Sequence, residues 1–399
     1  MSFSPAVTPI QPAEETAESR PVALLRIDPL LMVGAVGLIV CSLITLHGAT
    51  RHTVPGSPLY YVERQAIYAA IGLVVALVLM RFDYTRLREY KYAVYGVMIA
   101  FNLVVFAMPA IRGSRRWIPL PFFELQSSEF GKMLLIVALG AFAVDRVRRL
   151  GEKRTTLRIM LLALGPALIV IPQPDLGTGL VYLVIGFSML FVAGTSWRQL
   201  SGLVAIFAAA IAIIVAGAPA LGVHVLKPYQ VQRLTGFLNP SHDPRNQTYN
   251  ITESLIAIGS GQKSGRGVAG ASQTNLHFLP ENQTDFIFAV VGETYGFAGA
   301  ALVLSLYALL IWRSLRILMM AKNLYGTLIS GGIVAMLMFQ VFVNVGMTIG
   351  IMPITGVPLP LMSYGGSSVL VTFIAVGLLQ SIHVQSRLAA AGKGRSLLS

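Results

Sequence analysis

Apolar stretches of about twenty residues, the length a helix needs to cross a bilayer, recur along this chain between short polar segments. Ten can be traced, at roughly 29–47, 65–81, 92–110, 130–145, 157–173, 177–194, 200–220, 285–312, 325–350 and 366–384. The short alternating strands of a membrane β-barrel are absent from the pattern. The runs therefore predict an all-α polytopic membrane protein with about ten transmembrane helices. Residues 1–28 are polar and carry Pro5, Pro9, Pro12 and Pro21, which predicts a disordered tail. A membrane domain is expected over 29–386, and a second tail over 387–399. The first apolar run begins too far into the chain, and lacks the cleavage site, for a signal peptide.

Composition agrees: 55% of residues are hydrophobic and 12% charged. The single cysteine, Cys41, excludes an intrachain disulfide. The net charge is +13, but most lysines and arginines fall in short segments between apolar runs, such as 86–91 and 146–158. That is the bias of cytoplasmic loops, not of a nucleic-acid site. It places both termini in the cytoplasm and makes 221–284 one large extracytoplasmic loop, too long for an idle connection.

Candidate chemistry gathers on the outer side. Asp285 begins the eighth run, where Thr284 or Asp285 is expected to cap the helix and the dipole favours an ionised carboxylate. Glu293 lies eight residues on, about 12 Å deeper on a straight helix. A carboxylate that deep in a membrane is costly and usually functional. A plain capping aspartate is the simpler alternative. Arg112, Arg115 and Arg116 face outward against the usual bias, beside Trp117, and suit either lipid phosphates or an anionic lipid substrate. Glu129 and Lys132, at i and i+3, can pair, as a structural clamp or facing a polar cavity. Asp175, in the turn Gln173–Gly179, is read as the cap of the sixth span. Lys263-Ser264-Gly265-Arg266-Gly267 reads as a flexible cationic stretch whose glycines could admit an anion, or as a solvated loop. Three prolines between Met352 and Ser368 break the ninth span. Non-helical backbone at that depth requires protein or a wet cavity beside it, so this stretch, with Ser363 and Tyr364, is expected to line the same cavity as Asp285.

Taken together, Gly113–Ile118, Gln126–Lys132, Gln173–Thr178, Leu226–Gln230, Phe237–Pro240, Ala257–Gly261, Leu279–Glu293 and Pro353–Ser368 resemble the motifs of the SEDS family (shape, elongation, division and sporulation) of bacterial cell-wall polymerases. Val357-Pro358-Leu359-Pro360 is similar to the elongation branch rather than the division branch. Gln283, Thr294 and Asn250-Ile251-Thr252 depart from the family pattern. The resemblance implies a peptidoglycan glycosyltransferase of the bacterial cytoplasmic (inner) membrane, its active site facing outward. Its substrate would be lipid II and the growing undecaprenyl-linked glycan. Its partners would be a class B penicillin-binding protein, other elongation-complex proteins and membrane lipid. It further implies that Asp285 is the essential aspartate and that Trp117, Glu129 and Lys132 are functional. Arg115, Arg116, Lys132, Lys263 and Arg266 are the cations available to a pyrophosphate. A divalent cation, Mg or Mn, could join through Asp285 or Glu129. A lipid II flippase and a scaffold for the transpeptidase fit the same features. The 221–284 loop and the 353–368 segment are expected to form lid and wall, with the partner acting on them.

Overall fold

The computed structural model describes residues 27–51, 53, 56–110, 114–120, 123–149, 151–214 and 247–396. Residues 1–26, Arg112, and the Leu226–Gln230 and Phe237–Pro240 motifs lie outside the described residues. In chain order the helices are α1 (Pro29–Ala49), α2 (Tyr60–Leu79), α3 (Lys91–Val104), α4 (Ser127–Val144), α5 (Lys153–Val170), α6 (Leu176–Val192) and α7 (Trp197–Ala212). They continue with α8 (Gln247–Gly261), α9 (Gly267–Gly270), α10 (Ser272–Asn275), α11 (Ile287–Met320), α12 (Leu324–Thr348) and α13 (Gly366–Ser396). Each apolar run, as far as it is described, falls on α1–α7 or α11–α13. Six of these, α1, α2, α4, α11, α12 and α13, are long and apolar enough to cross a membrane; α3 with the turn after it, α6 and α7 are apolar but shorter. The chain is a multi-pass helical membrane protein.

Burial sorts the helices. The apolar windows of α13, α4 and α12 are 89%, 83% and 72% buried, against 28% for α2 and α11. So α4, α12 and α13 form the centre. α13 packs along α2 and α4, α12 along α6, α4 and α11, and α11 along α1. Small residues permit the close crossings, since lipid offers no hydrophobic drive and packing must supply the attraction. A Cβ on Gly377 of α13 would lie 2.8 Å from the Ala76 Cα of α2.

The bundle is clamped at the end away from Asp285. The Asp28 carboxylate caps α1 by accepting from the Leu31 N–H (3.1 Å), with Pro29 in the first turn. The same carboxylate accepts from Arg313 of α11 at 3.1 and 2.9 Å. Gln380 of α13 exchanges two 2.9 Å bonds with the Asp28 backbone. One buried aspartate thus joins three helices.

Two features differ from the sequence reading. The stretch before α4 is a two-stranded antiparallel hairpin, Trp117–Pro119 against Glu124–Gln126, with Trp117 opposite Gln126. And the eighth run is not one straight helix from 285. α11 starts at Ile287, runs to Met320, and kinks at Gly296, whose φ of 65° and ψ of −159° fall where a side chain is not tolerated.

Candidate functional site

Asp285 sits in a turn, not on a helix. Glu281 adopts a positive φ of 52°, and its carbonyl accepts from the N–H groups of Thr284 (3.2 Å) and Asp285 (3.1 Å). The helix then begins behind Phe286 without a side-chain cap. The expected capping by Thr284 or Asp285 is therefore corrected. Thr284 Oγ1 instead donates to the Glu281 carboxylate at 3.0 Å, and Asp285 is left half-buried at the mouth of α11.

The proline-rich segment closes on this turn. Asn344 of α12, fully buried, donates through Nδ2 to the carbonyls of Asp285 (3.0 Å) and Val357 (2.8 Å). Ser363 Oγ donates to the Thr284 carbonyl and accepts from the Leu359 N–H at 2.8 Å. The Tyr364 N–H donates to the Gln283 carbonyl at 2.9 Å. A Cβ on Gly356 would lie 3.5 Å from Asp285 Oδ2. The wall and the carboxylate are thus in direct apposition, as the broken helix predicted. At this junction Asn344 Oδ1 and Thr355 Oγ1 are buried without a hydrogen-bond partner.

A second polar seam lies between α4 and α6. Lys132 Nζ and Glu129 Oε1 are 2.7 Å apart, with side chains 1% and 2% exposed. Asp175 caps α6 by accepting from the Thr178 N–H (3.2 Å), and its other oxygen accepts from Ser128 Oγ (2.7 Å) and Gln126 Nε2 (2.9 Å). The Tyr182 hydroxyl donates to the Ser128 carbonyl at 3.0 Å. Asp175 is thereby a junction that orients the start of α4, where Glu129 sits. The two clusters meet at Gly177, where a Cβ would come within 2.6 Å of the Thr355 carbonyl oxygen. The hairpin is tied in as well. The Gln126 N–H donates to Ser367 Oγ (2.9 Å), which donates to the Glu124 carbonyl (3.1 Å). The Arg116 guanidinium lies 5.6 Å from the Trp117 ring centroid, with its buried Nε unpartnered. Arg115 is exposed and donates to the Phe106 carbonyl at 3.2 Å.

Glu293 is not part of this mouth. It is fully buried and accepts from the N–H groups of Gln273 (2.8 Å) and Thr274 (3.0 Å) and from Thr274 Oγ1 (2.6 Å). Its role is to hold α10. The cationic stretch is also corrected from a flexible loop to a docked one. The Arg266 N–H donates to the Glu293 carbonyl (2.9 Å), and the N–H groups of Phe297 and Ala298 donate to the carbonyls of Gln262 (2.9 Å) and Lys263 (3.1 Å). Gly265 serves close backbone contact, since a Cβ there would lie 2.2 Å from the Thr294 carbonyl oxygen, as does Gly261 just before the stretch, where a Cβ would lie 1.9 Å from the Gly292 carbonyl oxygen; Gly267 faces open space. Lys263 and Arg266 project as exposed side chains, from backbone anchored eight residues or more beyond Asp285, on the order of 12 Å along the helix.

Asn344 and Gln65 were missed in the sequence. Gln65 is fully buried in α2, donates to the Ser363 carbonyl (3.1 Å), and accepts from the Gly365 N–H (3.3 Å). The available signal was an amide inside an apolar run, which must find a partner in the bundle.

The chain matches the FtsW/RodA/SpoVE cell cycle protein family over residues 24–388. It is 38% identical over 370 residues to a probable peptidoglycan glycosyltransferase FtsW of Thioalkalivibrio sulfidiphilus, covering 90% of this chain and 88% of that protein. It is 35% identical over 365 residues to the peptidoglycan glycosyltransferase MrdB of Escherichia coli K12, covering 91% and 95%. A chain of a peptidoglycan synthase complex, solved in a study of how polymerization and crosslinking are coordinated, superposes with a TM-score of 0.75 at 30% identity, covering 90% of this chain and 98% of that one.

Proposed function

The chain belongs to the FtsW/RodA/SpoVE family of cell cycle proteins, and from that premise we propose that it is a peptidoglycan glycosyltransferase that polymerises lipid II during cell elongation. The observation that carries the reading is Asp285, half-buried and pressed against Gly356 where α11, α12 and the proline-rich wall meet. The hydroxyl at C4 of one sugar attacks the anomeric carbon of another. The bond from that carbon to the lipid diphosphate breaks, and the acceptor proton goes to a base. Asp285 is that base. Glu129, Asp175 and Glu293 are each no more than 3% exposed, whereas Asp285 is half-buried at the mouth. Arg115 and Arg116, just before the hairpin, are the cations assigned to the diphosphate, with Arg116 5.6 Å from the Trp117 ring centroid. Lys132 acts through Glu129, to which it is paired at the start of α4.

Among the described residues no group of three or more His, Cys, Asp or Glu could hold a metal ion. A site for Mg or Mn would therefore rest on one carboxylate together with substrate phosphates, as such ions commonly do. Of the two carboxylates, Glu129 is buried in its ion pair with Lys132, so Asp285 would supply the carboxylate, and the ion would neutralise charge on the diphosphate. The bias of Lys and Arg supports ten spans with both termini in the cytoplasm and the Asp285 end facing outward from the inner membrane. The synthase-complex relative supports a crosslinking partner, a class B penicillin-binding protein, engaging the Asp285 end.

The test is polymerisation of lipid II by the purified chain. Asp285→Asn keeps size and hydrogen bonding but removes the base. It is expected to lower the rate by about 100-fold or more with an unchanged melting temperature. Near-normal activity would place the base elsewhere. Transport of labelled lipid without polymer would mean a flippase, and neither activity alone would mean a scaffold.

A further inference from the structure

At the end of the bundle away from Asp285, a cavity of about 490 Å³ lies between the 3-10 turn Tyr84–Arg88, the first turn of α3, the end of α4 and the start of α12. Arg88 and Lys91 are its cations, Glu89 its carboxylate, and Val144 and Leu324 its apolar part. Both cations bind Asp145, just past α4. Arg88 donates to Asp145 Oδ1 through Nε (3.2 Å) and Nη2 (2.8 Å), and Lys91 Nζ donates to Oδ2. The Arg88 side chain is still 48% exposed.

Hydrogen bonds fix the walls to one another. Asn323, which also lines the cavity, caps α12 by accepting from the Gly326 N–H (2.8 Å), and its same oxygen accepts from the Tyr84 hydroxyl (3.1 Å). The Tyr325 hydroxyl donates to the Val137 carbonyl of α4 at 3.2 Å. The Asp83 carboxylate caps the 3-10 turn, accepting from the Thr85 N–H (2.9 Å) and Thr85 Oγ1 (2.7 Å). The cavity is thus built from three spans and a capped turn.

Level and charge select a ligand. Tyr90 and Tyr92, at the start of α3, are 61% and 70% exposed, and exposed tyrosine at the end of a span marks the headgroup layer. Asp145 and Glu89 balance the two lining cations, and the exposed Arg86, Arg148, Arg149 and Lys322 flank the lining in the chain and add a positive excess. Asp145 uses only part of the donors that a guanidinium and an ammonium offer. Basic recesses between spans on the cytoplasmic side suit anionic headgroups. A soluble phosphate ester shares the phosphate chemistry but gains nothing from Val144, Leu324 and the tyrosine layer. We propose that this cavity binds the headgroup of an anionic phospholipid, with Arg88 and Lys91 on the phosphate diester and Glu89 accepting from a headgroup hydroxyl, as phosphatidylglycerol offers. The cavity lies at the far end from Asp285, and its ligand is independent of the reaction there.

Titration of the full chain in detergent with phosphatidylglycerol, phosphatidylethanolamine or soluble glycerol 1-phosphate, read by native mass spectrometry, tests it. Phosphatidylglycerol is expected to bind about fivefold more tightly than phosphatidylethanolamine and to resist an equal concentration of glycerol 1-phosphate. Arg88→Gln combined with Lys91→Gln is expected to weaken phosphatidylglycerol binding by about tenfold. Asp145→Asn keeps the side-chain size and removes the carboxylate that competes for both cations. It is expected to tighten phosphatidylglycerol binding by about twofold or more. Because that variant gains binding, a loss of fold cannot mimic the result. The site is overturned if the two lipids bind alike, which would mean annular lipid only, if the double cation variant binds phosphatidylglycerol as the parent does, or if Asp145→Asn binds it no more tightly than the parent. Displacement by glycerol 1-phosphate would make a soluble phosphate ester the ligand and overturn the lipid assignment.

Discussion

Lys132 is among the largest fully buried side chains described, and it is charged. Its ammonium is tolerable only because Glu129 stands 2.7 Å away on the same helix face. Removing one member leaves an uncompensated charge out of water, which costs about 3–5 kcal/mol. We expect Glu129→Gln and Lys132→Met to destabilise the protein by that order singly. The double variant should be markedly milder than their sum. A double-mutant cycle on thermal or denaturant unfolding checks this, and strict additivity would mean that the two groups are not coupled. The same logic separates Asp285 from Glu293, which stand eight residues apart in one motif. Glu293 accepts three hydrogen bonds and reaches no surface. Asp285 is half-buried and borders the wall.

At the level of elements, α11 is organised by its kink. Gly296 holds a conformation open in practice only to glycine, and a Cβ there would also lie 2.3 Å from the Gly265 backbone nitrogen. The kink lets the backbone of 292–296 accept the cationic stretch, which in turn supplies the carbonyls for Phe297 and Ala298. Gly296→Ala should cost about 1–3 kcal/mol in backbone strain alone, and more if the 262–266 segment is pushed away. Melting temperature gives the first number. Limited proteolysis between 261 and 271 would report the second, and unchanged cleavage would mean that the docking survives the substitution. The hairpin is a smaller instance of the same rule: two three-residue strands would be marginal alone, and Ser367 at the start of α13 anchors them.

Across the whole molecule, the Asp28 junction clamps one end while the other carries the irregular backbone. Stability should therefore be uneven, with α9 and α10 opening before the central helices. The Glu293 carboxylate ties α10 to the bundle, and Asn275 ties α9 to α10. Glu293→Gln retains the shape but loses charge-assisted bonds, which are roughly twice as strong as neutral ones. Hydrogen exchange over 267–279 should rise in this variant, while α4, α12 and α13 keep their protection. Exchange that rises everywhere, or nowhere, would contradict this division.

The helices themselves were legible because burial in lipid imposes a one-dimensional rule: every span must satisfy its own backbone and be apolar over its length. The Glu129–Lys132 pair and the Asp175 cap were legible for a similar reason, since each partner lies within three residues. The apposition of Asp285 with the 353–368 segment could be inferred only as a requirement that broken backbone be covered. Its actual clamps, Asn344 and Gln65, reach across at least 13 positions of sequence in every bond they make to the wall. Glu293 was misread because its ligands, Gln273 and Thr274, sit some 20 residues upstream. Local spacing determines which residues lie on one helix face. Which carboxylate is buried, and which stands half-buried at the mouth, was decided by the kink at Gly296 and by loops folding back, and those depend on contacts between segments distant in the chain.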